Sequence, residues 1–120
     1  SYPDKKGAAL IGRWSAPVAE THVPYIRPQE NGSHYHTEYL KVDGAFSVTA
    51  EKPFSFSVLP FTSEQFFDAK HAFELKRKGL VNVCIDLAMR GVGTHSCGPE
   101  LAKEFDVSRE GENEFTVIFQ

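Results

Sequence analysis

Two stretches of the sequence carry residues whose types and spacing could do chemistry. His34, His36 and Glu38 are spaced two apart, so on a β-strand their side chains would share one face. Two imidazoles and a carboxylate are a ligand set suited to zinc. The plainer reading is a solvated strand face following the Asn31-Gly32 turn, and the expected metal content is none, with these three residues as the fallback set. The second stretch is Gly91-Val92-Gly93-Thr94-His95-Ser96-Cys97-Gly98-Pro99. Its glycines permit positive φ, so it reads as a shaped loop rather than a tight hairpin. No Lys-Ser/Thr follows and no helix opens after it, which excludes a phosphate-cradling loop. Cys97 with His95 has the composition of a nucleophilic pair, but no third residue is placed to orient the imidazole.

Carboxylates are spread along the whole chain, from Glu20, Glu30 and Glu38 through Glu51, Glu64, Glu74 and Asp86 to Glu100 and Glu104. Glycoside cleavage needs two of them held roughly 5–10 Å apart across a sugar-sized cleft. No local pattern marks such a pair, and we assign no catalytic residue. Asp86, set within an apolar strand, is where a perturbed pKa is expected; a structural role, accepting hydrogen bonds from a neighbouring loop, is the simpler alternative. Trp14, Tyr25, Tyr35 and Tyr39 are available for stacking on sugar rings, or for core and rim packing.

These residues must be positioned by strands. Seven Pro and nine Gly cut the chain into short runs, several of which alternate apolar and polar residues. Val81, Val83, Ile85, Leu87 and Met89 would line one face of a strand. Ala45 to Ala50, Phe54 to Leu59 and Glu114 to Phe119 read the same way, and Tyr39–Val42 and Lys103–Val107 are further strand candidates. The first 30 residues should be extended with irregular turns. One helix is expected near 62–73: Thr62-Ser63-Glu64-Gln65 fits a capping box, with Phe66 and Ala69 on one side. The pattern predicts an all-β, antiparallel β-sandwich with one short helix, in a single domain over residues 1–120.

The chain has 120 residues, 41% of them apolar and ten of them Phe, enough to bury a core. Net charge is −3, with Lys and Arg dispersed, so neither a nucleic-acid footprint nor a polybasic membrane patch is present. Apolar runs fall far short of the roughly 20 residues that span a bilayer. Two cysteines, Cys84 and Cys97, are too few for a disulfide framework and suit two free thiols in a reducing compartment. That points to the cytoplasm, with the periplasm as the alternative. No repeat, low-complexity tract or linker interrupts the sequence. It opens on Ser1-Tyr2-Pro3 with neither Met nor a signal-like run, as a fragment or processed piece would.

Seven motifs, in order, resemble the last domain, or small chain, of glycoside hydrolase family two β-galactosidases. They are Ser1-Tyr2-Pro3-Asp4-Lys5, Gly12-Arg13-Trp14, Pro24-Tyr25-Ile26-Arg27-Pro28-Gln29-Glu30-Asn31-Gly32, Phe54-Ser55-Phe56-Ser57, Ala69-Lys70-His71, Val81 to Asp86, and Met89-Arg90-Gly91-Val92-Gly93 with Ser96-Cys97-Gly98-Pro99. The resemblance implies half of a galactose-mutarotase-like supersandwich. It further implies an enzyme whose central barrel, outside these residues, supplies two glutamates for retaining hydrolysis of β-galactosides such as lactose. Magnesium and sodium sites would belong mainly to that remainder. The implied partners are the other β-galactosidase domains, the galactoside and further copies in a homo-oligomer, with no nucleic acid and no membrane.

By the same resemblance the loop containing Gly93, Thr94, His95, Ser96 and Cys97 reaches over the substrate pocket and shapes the site for the leaving sugar. Some members of the family carry Gly-Asp-Asp-Ser-Trp there, and the Trp stacks on the incoming sugar. Here the loop is one residue shorter with Cys97 in that place, similar to the evolved-β-galactosidase branch; a stacking platform is exchanged for a small side chain, leaving His95 or Ser96 to make polar contacts. Two other readings remain beside the enzyme part. One is a stand-alone carbohydrate-binding β-sandwich; the other, by fold analogy alone, is a sugar mutarotase.

Overall fold

The alternating runs become four strands in one hydrogen-bonded sheet of a computed structural model, which describes residues 2–4, 10–24, 32–77, 79–93, 100–111 and 114–120. They are β1 (His34–Val42), β2 (Phe46–Leu59), β3 (Asn82–Asp86) and β4 (Val117–Phe119), with one α-helix, α1 (Ser63–Asp68). The order is β1-β2-β3, and β4 also pairs with β2. Among the described residues this is an all-β architecture, mostly antiparallel, with no closed barrel, consistent with the sandwich-like class expected from the sequence. Its residues divide into two compact units: Ser1–Ile11, His34–Ser55 and Ile85–Gln120 form the first, and Gly12–Ser33 with Phe56–Cys84 the second.

In the first unit, β1 and β2 form a hairpin whose turn is closed by the Ala45 amide donating to the Val42 carbonyl at 3.0 Å. Gly44, at φ +77°, takes the backbone angle that side chains disfavour. β4 lies antiparallel to β2, with Val48 opposite Phe119, Thr49 opposite Ile118 and Ala50 opposite Val117. Ser47 and Gln120 exchange two backbone hydrogen bonds of 2.8 and 3.0 Å. The Phe46 and Phe119 rings meet at 5.6 Å, and Val48 is wholly buried beneath this pairing.

β2 runs without interruption through Glu51-Lys52-Pro53, where the sequence pattern suggested two separate strands. Proline's fixed φ is compatible with extended chain, and its presence removes a single ladder donor. Two other expectations are corrected. Lys103–Phe105 is a 3₁₀ turn rather than a strand: the Phe105 amide donates to Ala102 at 3.0 Å and the Asp106 amide to Lys103 at 3.2 Å, so these donors are satisfied locally instead of across a sheet. The expected strand from Val81 to Met89 contracts to Asn82–Asp86.

The second unit is organised by α1. Its capping box is present in both directions: the Gln65 amide donates to the Thr62 hydroxyl at 3.3 Å, and the Gln65 side-chain oxygen accepts from the Thr62 amide at 3.0 Å. The same Gln65 side chain donates to the Lys76 carbonyl at 2.8 Å, so one residue fixes both the helix start and the returning chain. Leu59, Phe61, Phe66 and Ala69 form the core here, with Leu75 packed against it and the Phe61 and Phe66 rings edge to face at 5.7 Å. The helix stops at Asp68, earlier than the sequence suggested, because the Glu74 carboxylate accepts the Lys70 amide at 2.8 Å and a 3₁₀ turn follows at Ala72–Glu74. Gly32, at φ +66°, is irreplaceable on steric grounds, since a Cβ there would sit 2.7 Å from the Thr21 carbonyl oxygen and 2.8 Å from Leu59 Cδ2.

These contacts rank two substitutions. Phe66→Ala should destabilise the fold by about 3–5 kcal/mol through loss of buried area and the cavity left behind. Thr62→Ala should cost about 1 kcal/mol through the cap alone. Urea unfolding followed by circular dichroism checks both, and equal midpoints for the two variants would contradict this picture of the core.

Candidate functional site

The stem of the glycine loop lies in the first unit, where each of its three amides has a fixed acceptor. The Gly91 amide donates to the Phe105 carbonyl at 2.9 Å. The Val92 amide donates to Asp4 Oδ1 at 3.2 Å, and the Gly93 amide to Asp4 Oδ2 at 2.7 Å. A carboxylate that takes one amide on each oxygen fixes both position and orientation, and hydrogen bonds to a charged acceptor are stronger than neutral ones. The packing is tight as well. A Cβ on Gly91 would fall 2.6 Å from Leu101 Cδ1 and 2.8 Å from Asp4 Cγ, while Gly93 adopts φ +95°. Both glycines are buried. The sequence predicted glycines for φ alone; one of the two is required by close approach.

Beside this stem, Arg90 Nε donates to Asp106 Oδ1 at 2.8 Å. Asp106 Oδ1 also accepts the Val107 amide at 3.0 Å. The Arg90 hydrogen bond holds the Asp106 carboxyl below the usual aspartate range. Both partners are more than half exposed, so the pair orients the segment more than it stabilises it. The same unit contains a cavity of about 310 Å³. Tyr35, His36, Phe54, Met89, Glu104 and Asp106 are among the residues lining it.

Of the sequence-derived site residues, Gly93 is at the end of this stem; Thr94, His95, Ser96 and Cys97 lie outside the described residues. His34, His36 and Glu38 are on β1, but the alternation that would align them fails at His36, whose φ is +56°. Among the described residues no three His, Cys, Asp or Glu side chains gather to hold a metal ion, these three included. The Tyr35 ring instead meets the His36 ring at 5.5 Å. Tyr39 and Trp14 are exposed, and Tyr25 lies outside the described residues. Cys84, half-buried on β3, is a free thiol within reach of the Asn82 side-chain amide at 3.6 Å. No helix among the described residues is long and apolar enough to cross a membrane.

No local pattern in the sequence points to Asp4, because its partners lie 88 and 89 residues further along the chain. Asp86 behaves as the sequence suggested. Its side chain reaches solvent, yet partial burial at the end of β3 raises its pKa above the aspartate value.

The family model described as "Beta galactosidase small chain" matches residues 1–119. The chain belongs to this family. Among relatives of the small-chain sequence, a β-galactosidase of Actinobacillus pleuropneumoniae is 42% identical over 119 residues, 99% of this chain and 11% of that protein. A β-galactosidase of Kluyveromyces lactis is 35% identical over 128 residues, covering 100% of this chain and 12% of that protein. One from Leuconostoc mesenteroides is 35% identical over 111 residues, or 92% of this chain and 11% of that protein. The chain therefore spans about a ninth of the length of the relatives it matches.

The Asp86 shift makes a pH prediction. A folded-state pKa above the unfolded one means that the folded form binds the extra proton, so this group lowers stability as pH rises through the window between the two values. Asp86→Asn should therefore raise the urea midpoint at pH 7 relative to the parent. The gain should vanish near about pH 3, below the ordinary aspartate pKa. A gain of the same size at both pH values would show that burial of charge is not its origin.

Proposed function

We propose that these 120 residues are the small-chain part of a β-galactosidase that cleaves terminal β-D-galactosides such as lactose with retention of configuration. The observation that carries this reading is the match of the family model to residues 1–119, combined with coverage of only 11–12% of two β-galactosidases similar to it in sequence. In this reading the catalytic glutamates, and most of the magnesium and sodium ligands, come from the rest of the enzyme. The small chain packs against that remainder and lends the segment Gly93–Cys97 to the wall of the substrate pocket. Cys97 offers no ring for the leaving sugar, so His95 or Ser96 supplies the polar contacts on that side. The enzyme works as a homo-oligomer in the cytoplasm, with the periplasm as the alternative compartment.

Exposed apolar side chains support a covered role. In the second unit Trp14, Phe67, Phe73 and Leu80 are 73%, 69%, 81% and 77% exposed, large groups that gain from burial against a neighbouring domain. The cavity of about 310 Å³ favours a second reading, a self-sufficient carbohydrate-binding module, because Tyr35 offers an aromatic face and Glu104 and Asp106 offer acceptors for sugar hydroxyls.

Purified alone and free of host enzyme, the 120 residues should not cleave nitrophenyl galactoside. They should contribute to activity only as part of a protein that also carries the glutamate-bearing barrel. Multiple turnovers by the chain alone would overturn the proposal. Titration with galactose and lactose, read by amide shifts, separates the two readings. Absent or millimolar binding confined to 91–99 fits a partial pocket wall, whereas saturable micromolar binding around Tyr35 would establish the module.

A further inference from the structure

We infer that Asp4 is a positioning residue for the leaving-sugar side of the pocket, holding the stem of the glycine loop by its carboxylate; this rests on the reading of 93–97 as pocket wall. The contact has the form a positioning device needs. Asp4 Oδ1 and Oδ2 each receive one successive amide, from Val92 at 3.2 Å and Gly93 at 2.7 Å, which fixes the peptide plane between them as well as its distance. The adjoining Gly91 amide is held from a separate direction by Phe105 O at 2.9 Å. Three consecutive amides are thereby committed to two acceptors from remote parts of the chain.

Sterics reinforce the arrangement. The space where a Gly91 side chain would begin is filled by Leu101 and by the Asp4 carboxyl carbon, and the φ of +95° at Gly93 is one that other residues resist. The stem is therefore held jointly by the carboxylate and by close packing around Gly91. The next residue after this fixed stem is Thr94, the start of the stretch proposed to meet the leaving sugar. An error of one ångström at such an anchor is enough to misplace contacts made beyond it. Asp4 touches neither substrate nor reacting atoms in this scheme, so its effect should appear in recognition of the leaving group rather than in the galactosyl step.

The test uses the protein that carries these residues, as Asp4→Asn and Asp4→Ala. Asparagine keeps one acceptor oxygen and turns an NH₂ toward the other amide; alanine removes both acceptors. Hydrogen exchange in peptides covering 91–93 should accelerate about tenfold or more in Asp4→Ala and less in Asp4→Asn, as expected for loss of charge-assisted hydrogen bonds, while peptides from 46–50 stay protected. Unchanged exchange in 91–93 would overturn the anchor. For catalysis, KM for lactose should rise about tenfold in Asp4→Ala, with kcat for nitrophenyl galactoside changing less than about twofold. Equal losses on both substrates, or none on either, would overturn the positioning role. If the parent protein cleaves no galactoside, the functional reading itself fails, whatever the exchange data say about the anchor.

Discussion

Every strand of the described sheet hydrogen-bonds to β2, and that single dependence organises the fold. A strand of fourteen residues has to satisfy neighbours along both edges while burying side chains over much of its length. Its first half, around Val48, is paired with β4; its second half carries Phe54, Val58 and Leu59 into buried positions. Two serines, Ser55 and Ser57, are buried on the same strand, and among the described residues no buried side-chain nitrogen or oxygen lacks a hydrogen-bond partner. Polar groups at the centre of this sheet are thus tolerated because they are satisfied, as burial in a low-dielectric interior requires.

The two units rely on different means of fixing the chain. The second is a small aromatic cluster pinned by side-chain-to-backbone contacts at the start of α1, with Gln65 bonded both to its own helix cap and to a carbonyl eleven residues on. The first is fixed by backbone pairing and, at the glycine stem, by a carboxylate. The stem therefore owes its shape less to apolar burial than to charge-assisted hydrogen bonding. Placing a loop for molecular recognition favours the second kind of restraint, because hydrogen bonds define direction while apolar contacts define little beyond proximity.

Local chemistry was legible in the sequence wherever cause and effect lie within a few residues. The capping box at Thr62 and Gln65, the apolar side of α1 and the alternation in both halves of β2 could all be read directly, as could a perturbed pKa at Asp86, whose upward direction the structure adds. Misreadings came where a local signal competed with a contact from elsewhere. Phe105 and Val107 have strand-like spacing, but their segment turns, and the Phe105 carbonyl is taken by Gly91. His34, His36 and Glu38 have ligand-like spacing that a positive φ at His36 breaks. The resemblance supplied the family, but it did not reveal what Asp4 does, because its contacts reach across 88 and 89 residues of sequence.

The distance along the chain between Asp4 and its amides has a consequence for how the protein is made. A ribosome adding about 5–20 residues per second needs several seconds to more than ten to travel from Asp4 to Val92. Throughout that interval the carboxylate is hydrated, and the hairpin of β1 and β2 can already form from residues close in sequence. The glycine stem can be set only after Val92 and Gly93 have been made, whereas the β1–β2 hairpin needs nothing beyond Leu59. Its geometry thus follows that of the hairpin, and a chain released between the two has a hairpin but no anchored stem.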